Sequence, residues 1–207
     1  MQYSYSRADC FNKCPYQYKL RYVDRFNTID DYDPRSPLIL GTAVHTGIET
    51  DVASAIQFYY SQYPVITDAH IEEAMKLENL ILKVKDILPA NGQFEVEITT
   101  PIFKGFIDYL YPLDDGTYGI IDFKYSNNVD NYLRSKQLHI YKYFAEKILN
   151  IKISKLQFLF IPKIQIRQKK TENQLQFRKR LYGELAKANP NLVPIQYNHS
   201  KVGDFLT

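Results

Sequence analysis

Apolar residues recur three and four positions apart across residues 38–60, at Val44, Ile48, Val52, Ala55 and Ile56. That spacing keeps one helix face apolar, so a single helix is predicted over this span. A second stripe, Leu77, Leu80, Ile81, Val84, Ile87 and Leu88, predicts a helix that begins at Thr67 and stops at Pro89-Ala90-Asn91-Gly92. The period then falls to two. Phe94, Val96 and Ile98 alternate with Glu95 and Glu97, which predicts a half-buried strand with both glutamates on its solvent face. Apolar runs at 103–110 and 118–123 flank Asp114-Asp115-Gly116, the signature of a β-hairpin. Helical spacing returns over 132–149, and the apolar run 156–161 before Pro162 predicts a buried strand. A last helix is predicted over 172–188. At the N-terminus, Ser6 is placed as the cap of a short helix, and Pro15 opens a second over 16–22. Residues 25–37 are predicted as a long loop and 189–207 as an extended tail. The implied fold is mixed α/β, a central mixed β-sheet flanked by helices. One domain over 1–207 is expected, with a helical part at 1–90 and a sheet-and-helix core at 91–188.

Composition narrows this picture only a little. The chain has 207 residues, 45% of them apolar, which is enough to build a core and excludes a wholly disordered protein. No window approaches a membrane span, and the first residues lack the basic-then-apolar order of a secretory signal. Cys10 and Cys14 are the only cysteines and lie too close in sequence to staple the fold, so a cytoplasmic, intracellular setting is expected. The net charge of +3 permits nucleic-acid binding without demanding it. Small size and a Tyr-, Asn-, Lys- and Ile-rich composition are of the kind found in phage or mobile-element proteins.

The hairpin carries the candidate chemistry. Asp108 sits on its first strand and Asp122 on its second, and Lys124, two residues on, shares a face with Asp122. Two acids in an apolar setting are costly unless neutralised, and a divalent metal would neutralise them. Hard carboxylate oxygens suit Mg2+ or Mn2+. His45, on the 38–60 helix beside the small residues Gly41, Thr42 and Ala43, is the candidate third ligand. Such an ion would polarise a phosphoryl oxygen, and Lys124 would orient water or offset transition-state charge. The implied reaction is phosphodiester hydrolysis. Each residue also has a plain reading: Asp-x-Lys is common on surface strands, and a lone helix histidine is more often structural than a ligand. His70, His139 and His199 have no evident partners in the sequence and are read as structural or exposed.

The order Gly41-x-x-x-His45, Glu97, Gly105-x-x-Asp108, Asp122-x-Lys124, Gln137-x-x-x-Tyr141 resembles the RecB-like branch of the PD-(D/E)XK nuclease superfamily, including Cas4-like exonucleases. Tyr5-Ser6-Arg7, Phe11, Cys14-Pro15 and Tyr18 resemble that branch's opening helix. The resemblance spans about residues 3–162 and implies a restriction-endonuclease-like core. It implies metal coordination by His45, Asp108, Asp122 and the backbone carbonyl of Phe123, with Lys124 as the catalytic lysine. Gln137 and Tyr141 would rim the site and meet DNA, Ser6 and Arg7 would touch the nucleic-acid backbone, and Glu97 would be an auxiliary polar group. The activity implied is a Mg2+- or Mn2+-dependent deoxyribonuclease, an exonuclease acting on DNA ends or single strands in replication, recombination or repair. An endonuclease of the same fold and a non-catalytic DNA-binding subunit are the alternatives. DNA is the expected partner, joined by a helicase or recombination protein, since the chain has no phosphate-loop motif of its own. Self-association is compatible with this reading, and membrane binding is not expected. Some relatives carry an iron–sulfur cluster on four cysteines; with only Cys10 and Cys14, none is expected from this chain alone, and Cys14 is expected to pack as a small buried residue.

Overall fold

The structure is a computed structural model that describes residues 2–26 and 32–206; residues 27–31, the centre of the predicted 25–37 loop, lie outside the described residues. Five strands form one sheet in the order β1 (Gln93–Thr99), β2 (Lys104–Pro112), β3 (Tyr118–Tyr125), β4 (Ile153–Ile161) and β5 (Asn191–Pro194). Neighbouring strands run antiparallel except β3 and β4, which run parallel. A parallel pair needs a crossover, and helices α6 (Val129–Leu133) and α7 (Gln137–Leu149) supply it.

Each sheet face carries its own apolar cluster. On one face, α3 (Pro37–Glu49), α4 (Val52–Ser61), α5 (Asp68–Ile87) and α8 (Gln174–Lys187) bury Val44, Tyr59, Leu77 and Leu181 against Tyr109, Ile121 and Phe123. On the other, α7 packs Leu138, Tyr141 and Phe144 against Ile107, Ile120 and Phe158. The mixed α/β architecture with a helix-flanked mixed sheet agrees with the sequence expectation.

Several local expectations change. The predicted 38–60 helix is two, because Asp51 takes an extended backbone and its Oδ1 accepts the Ser54 N–H at 2.7 Å, capping a new helix. The predicted 132–149 helix is likewise divided into α6 and α7, and the Ser135 hydroxyl accepts the Gln137 N–H in the gap. Ser4, rather than Ser6, caps α1 (Tyr5–Lys13). Cys14 is half-buried rather than buried, and its Sγ accepts the Gln17 N–H to cap α2 (Pro15–Tyr18). The tail is not merely extended: it adds β5 to the sheet edge and a short helix, α9 (Ser200–Leu206). On α3 the close approach to neighbouring elements falls at Gly47, where an added Cβ would lie 2.4 Å from Ile81 Cδ1 and 2.8 Å from Ala55 Cβ; at Gly41 nothing lies within 4 Å. Among the described residues no helix is long and apolar enough to cross a membrane.

All three histidines read as structural or exposed gain partners, His199 Nδ1 lying 3.2 Å from the Tyr197 hydroxyl. His70 Nδ1 receives the Thr67 N–H at the start of α5. His139, buried on α7, accepts the tail's Asn198 N–H at Nδ1, which requires that nitrogen to be unprotonated. Burial, with Lys201 adding repulsion, pushes its pKa down to about 4 from 6.5.

The packing around Gly47 and His139 sets two stability expectations. Gly47→Val should lose about 1–3 kcal/mol to overpacking, whereas Gly41→Ala should gain about 0.5–1 kcal/mol through reduced backbone entropy, both read from urea midpoints. The folded pKa of His139 lies below the unfolded one, so its contribution is complete above about pH 6.5 and declines as pH falls towards 4. His139→Asn keeps an acceptor that does not titrate. It should therefore lose about 2 kcal/mol less than the wild type between pH 8 and pH 5.

Candidate active site

The site forms where β2 and β3 part. Their ladder ends at the pair Tyr109–Ile121, and continuing that register would set Asp108 opposite Asp122. Instead of a backbone carbonyl, the Asp108 carboxylate takes the partner N–H: Oδ2 accepts from Phe123 N at 2.7 Å. The other polar atom of the same residue, the Phe123 carbonyl, lies 3.2 Å from His45 Nε2 on α3. With the imidazole proton on Nε2, the Nδ1 lone pair is left 3.7 Å from Asp108 Oδ2, too far for a hydrogen bond and suited to sharing a cation.

Asp122 and Lys124 project from β3 towards α7, on one face as the period of two requires. Lys124 Nζ lies 2.6 Å from Asp122 Oδ2 and donates to Gln137 Oε1 at 3.2 Å; Gln137 Nε2 in turn donates to the Tyr141 hydroxyl at 3.3 Å. Tyr132 and Phe158 wall the ammonium, their ring centroids 5.3 and 5.8 Å away. Asp122 is 1% exposed, yet neither of its oxygens makes an aligned hydrogen bond, the contact with Lys124 being close but poorly directed. A buried carboxylate left so is expensive and calls for a positive partner.

The third carboxylate is Glu95. Its ligand atoms, with those of His45 and Asp108, all lie within 4.8 Å of one another. Glu95 is exposed, as the period of two predicted, but it does not share the surroundings of Glu97. Glu95 has φ of 49°, and the strand's faces exchange across it: Phe94 packs with the Tyr109 cluster while Val96 packs with the Ile107 cluster. On β2 the same exchange occurs across Asp108, between Ile107 and Tyr109. Since Phe94 pairs with Tyr109 and Val96 with Ile107, Glu95 and Asp108 face each other where the exchange happens. Glu97 stays on the surface, taking the Thr99 hydroxyl at 2.6 Å and Lys104 at 3.0 Å, apart from this cluster. Nothing in a strict alternation signals a positive φ at a glutamate, so sequence reasoning missed it.

Electrostatics bind the group together. Burial, then repulsion from Asp122, hold the Asp108 carboxyl well above the usual carboxylate range. Burial, with Glu49 and Asp122 adding to it, raises Glu95. Burial lowers His45 and keeps its imidazole neutral. Burial also opposes the charge on Lys124, but Asp122 and Asp108 outweigh it, so the ammonium stays protonated. Burial and then Asp122 push the Tyr141 hydroxyl up to about 12. Glu95, Asp108 and Asp122, when ionised, set three negative charges against the single charge of Lys124, an excess that a divalent cation would neutralise.

A groove of about 530 Å³ leads from this cluster along α1, lined by Ser4, Ser6, Arg7, Gly105, Asp108 and Tyr141. Ser6 and Arg7 thus lie on the approach to Asp108. Their contacts are local, Ser6 Oγ with Ser4 Oγ at 3.0 Å and Arg7 Nη1 with the Gln2 carbonyl at 3.2 Å.

A sequence model of the PD-(D/E)XK nuclease superfamily matches residues 2–198. No curated protein matches the chain. Among solved structures, one titled "Crystal structure of SSO0001" is similar over 81% of each chain, at 14% identity and a TM-score of 0.28, a score from which nothing about fold or function follows.

Bound Mn2+ should raise the unfolding temperature of the wild type, with about 1.4 kcal/mol of stabilisation at tenfold excess over its dissociation constant. Asp108→Asn should abolish the rise, Glu95→Gln should reduce it and Glu97→Gln should leave it intact. Equal losses from the two glutamate variants would remove Glu95 from the cluster.

Proposed function

The chain belongs to the PD-(D/E)XK nuclease superfamily, and on that premise we propose that it is a Mg2+- or Mn2+-dependent deoxyribonuclease of the RecB-like, Cas4-like branch that degrades DNA from ends or as single strands. The observation that carries this reading is the buried Asp122 carboxylate, which lies against Lys124 without an aligned hydrogen bond, on a strand beside the one that brings Asp108 together with His45 and Glu95. A buried acid whose one ion-pair partner is poorly directed, in a site with two further acids and a neutral imidazole, fits a divalent ion.

His45 through Nδ1, Asp108, Asp122 and Glu95 would hold the ion, with the Phe123 carbonyl completing the site and, at 3.2 Å from His45 Nε2, orienting the imidazole. When bound, the ion supplies polarisation of a phosphoryl oxygen and a lower pKa for an attacking water. The chain's own residues do the rest. Lys124 has three N–H donors. Gln137 accepts one of them, and Asp122 lies against the ammonium without an aligned hydrogen bond, so donors remain to fix a water or a phosphoryl oxygen. As a charged ammonium it would act by donating and by offsetting the charge that builds on the phosphoryl group. Gln137 and Tyr141 are positioning residues that set the direction of Lys124. Water attacks phosphorus, one P–O bond forms as another breaks, the attacking water gives up one proton and the leaving oxygen takes one up.

Lys124→Ala and Asp122→Ala should each reduce cleavage of linear DNA in Mn2+ by about 100-fold or more, and Gln137→Ala by less. Variants as active as the wild type, or a wild type inactive with Mg2+ and Mn2+, would refute the catalytic reading. Covalently closed circles should resist the enzyme; if they are cut, the endonuclease alternative replaces end-dependent degradation.

A further inference from the structure

α1, α2 and the π-helical turn Lys19–Val23 that continues α2 contain no buried residue. Helices this short normally persist by burying an apolar stripe. Here the stripe faces water: Phe11 and Tyr16 are exposed, Tyr16 at 68% of its surface. Phe11 joins a run of rings that ends at Arg7. Phe11 meets Tyr18 edge-on with centroids 5.4 Å apart, Tyr18 meets Tyr22 at 5.1 Å, and the Arg7 guanidinium lies over the Tyr22 ring at 5.1 Å. Arg21 flanks the same ring at 5.5 Å. At its other side Arg7 lines the groove that contains Asp108 and Tyr141.

Charge says what this surface would receive. Residues 2–26 carry Arg7, Lys13, Lys19, Arg21 and Arg25 against Asp9 and Asp24. Lysines occupy both acids, Lys13 on Asp9 at 2.7 Å and Lys19 on Asp24 at 3.9 Å. The three arginines are left without a carboxylate partner among the described residues. Exposed ring faces interleaved with unpaired guanidinium groups suit a ligand with flat apolar surfaces joined by anions.

We propose that this N-terminal helical finger is a stacking platform for single-stranded nucleic acid, whose bases lie on Phe11 and Tyr16 and whose phosphates meet Arg7 and Arg21 as the strand enters the groove. A duplex conceals its base faces in its own stack, so the platform selects a single strand over a double one. The inference deepens the nuclease reading above, because it names the form of DNA that the groove takes in, but the binding it requires is independent of cleavage.

The chain has no tryptophan, so Tyr16→Trp places one local fluorophore on the platform. In EDTA, oligothymidylate should quench it, and a blunt duplex of equal length should not. In anisotropy titrations under the same conditions, the Phe11→Ala/Tyr16→Ala double variant should bind oligothymidylate about tenfold or more weakly, with duplex affinity and far-UV circular dichroism unchanged. Indole emission left unquenched in the Tyr16→Trp variant, unaltered single-strand affinity, or equal losses for both DNA forms would overturn the proposal. A variant that changed only the sedimentation of the free protein would instead assign the surface to a second copy of this chain. A protein that binds as described but cuts nothing would sink the nuclease reading alone, and one that cuts but fails these titrations would sink this inference alone.

Discussion

Where β2 parts from β3, the N–H of Phe123 has lost its ladder partner, and the Asp108 carboxylate satisfies it. A buried backbone donor must be paired, and this pairing sets much of the site. It keeps the two strands apart at the level of Asp122, while the carbonyl of the same Phe123 is available to His45 from the opposite layer of the molecule. One peptide segment therefore ties α3, β2 and β3 to one point. The helix-flanked sheet fixes that point, since α3 packs on the face of β3 that carries Phe123, and α7 on the face that carries Asp122 and Lys124.

The cluster is arranged so that its charges depend on one another. Lys124 remains protonated despite burial because Asp122 and Asp108 face it, and Asp108 is pushed up because it is buried beside Asp122. Removing any one member changes the state of the rest. The apolar walls of Tyr132 and Phe158 strengthen these couplings by keeping water from the ammonium. The α7 residues Gln137 and Tyr141 limit the directions Lys124 can adopt, which converts a flexible side chain into an oriented donor.

The molecule also divides its surface between chemistry and reception. The sheet and its two helical layers bury their apolar stripes, but α1 and α2 do not, and their exposed rings lead to the groove that reaches Asp108. On the reading proposed above, the substrate would lie on a surface contributed by the first residues of the chain and be cut at a hairpin about one hundred residues later.

The periodicities of the chain settled the main elements, because an apolar stripe every three to four residues or every two admits few ways to bury itself. The hairpin, the α5 stripe and the shared face of Asp122 and Lys124 could all be read in this way. The order of motifs from His45 to Tyr141 pointed to the superfamily that also matches residues 2–198. Tertiary structure decided what periodicity cannot encode. It divided the 38–60 helix at Asp51, because a side chain capping a new helix competes with continuing the old one. It drew the irregular tail into the sheet as β5, since a short edge strand is defined by its partner more than by its own pattern. And it brought Glu95 rather than Glu97 to the His45–Asp108 group, through a positive φ that breaks the alternation on which the sequence reading relied.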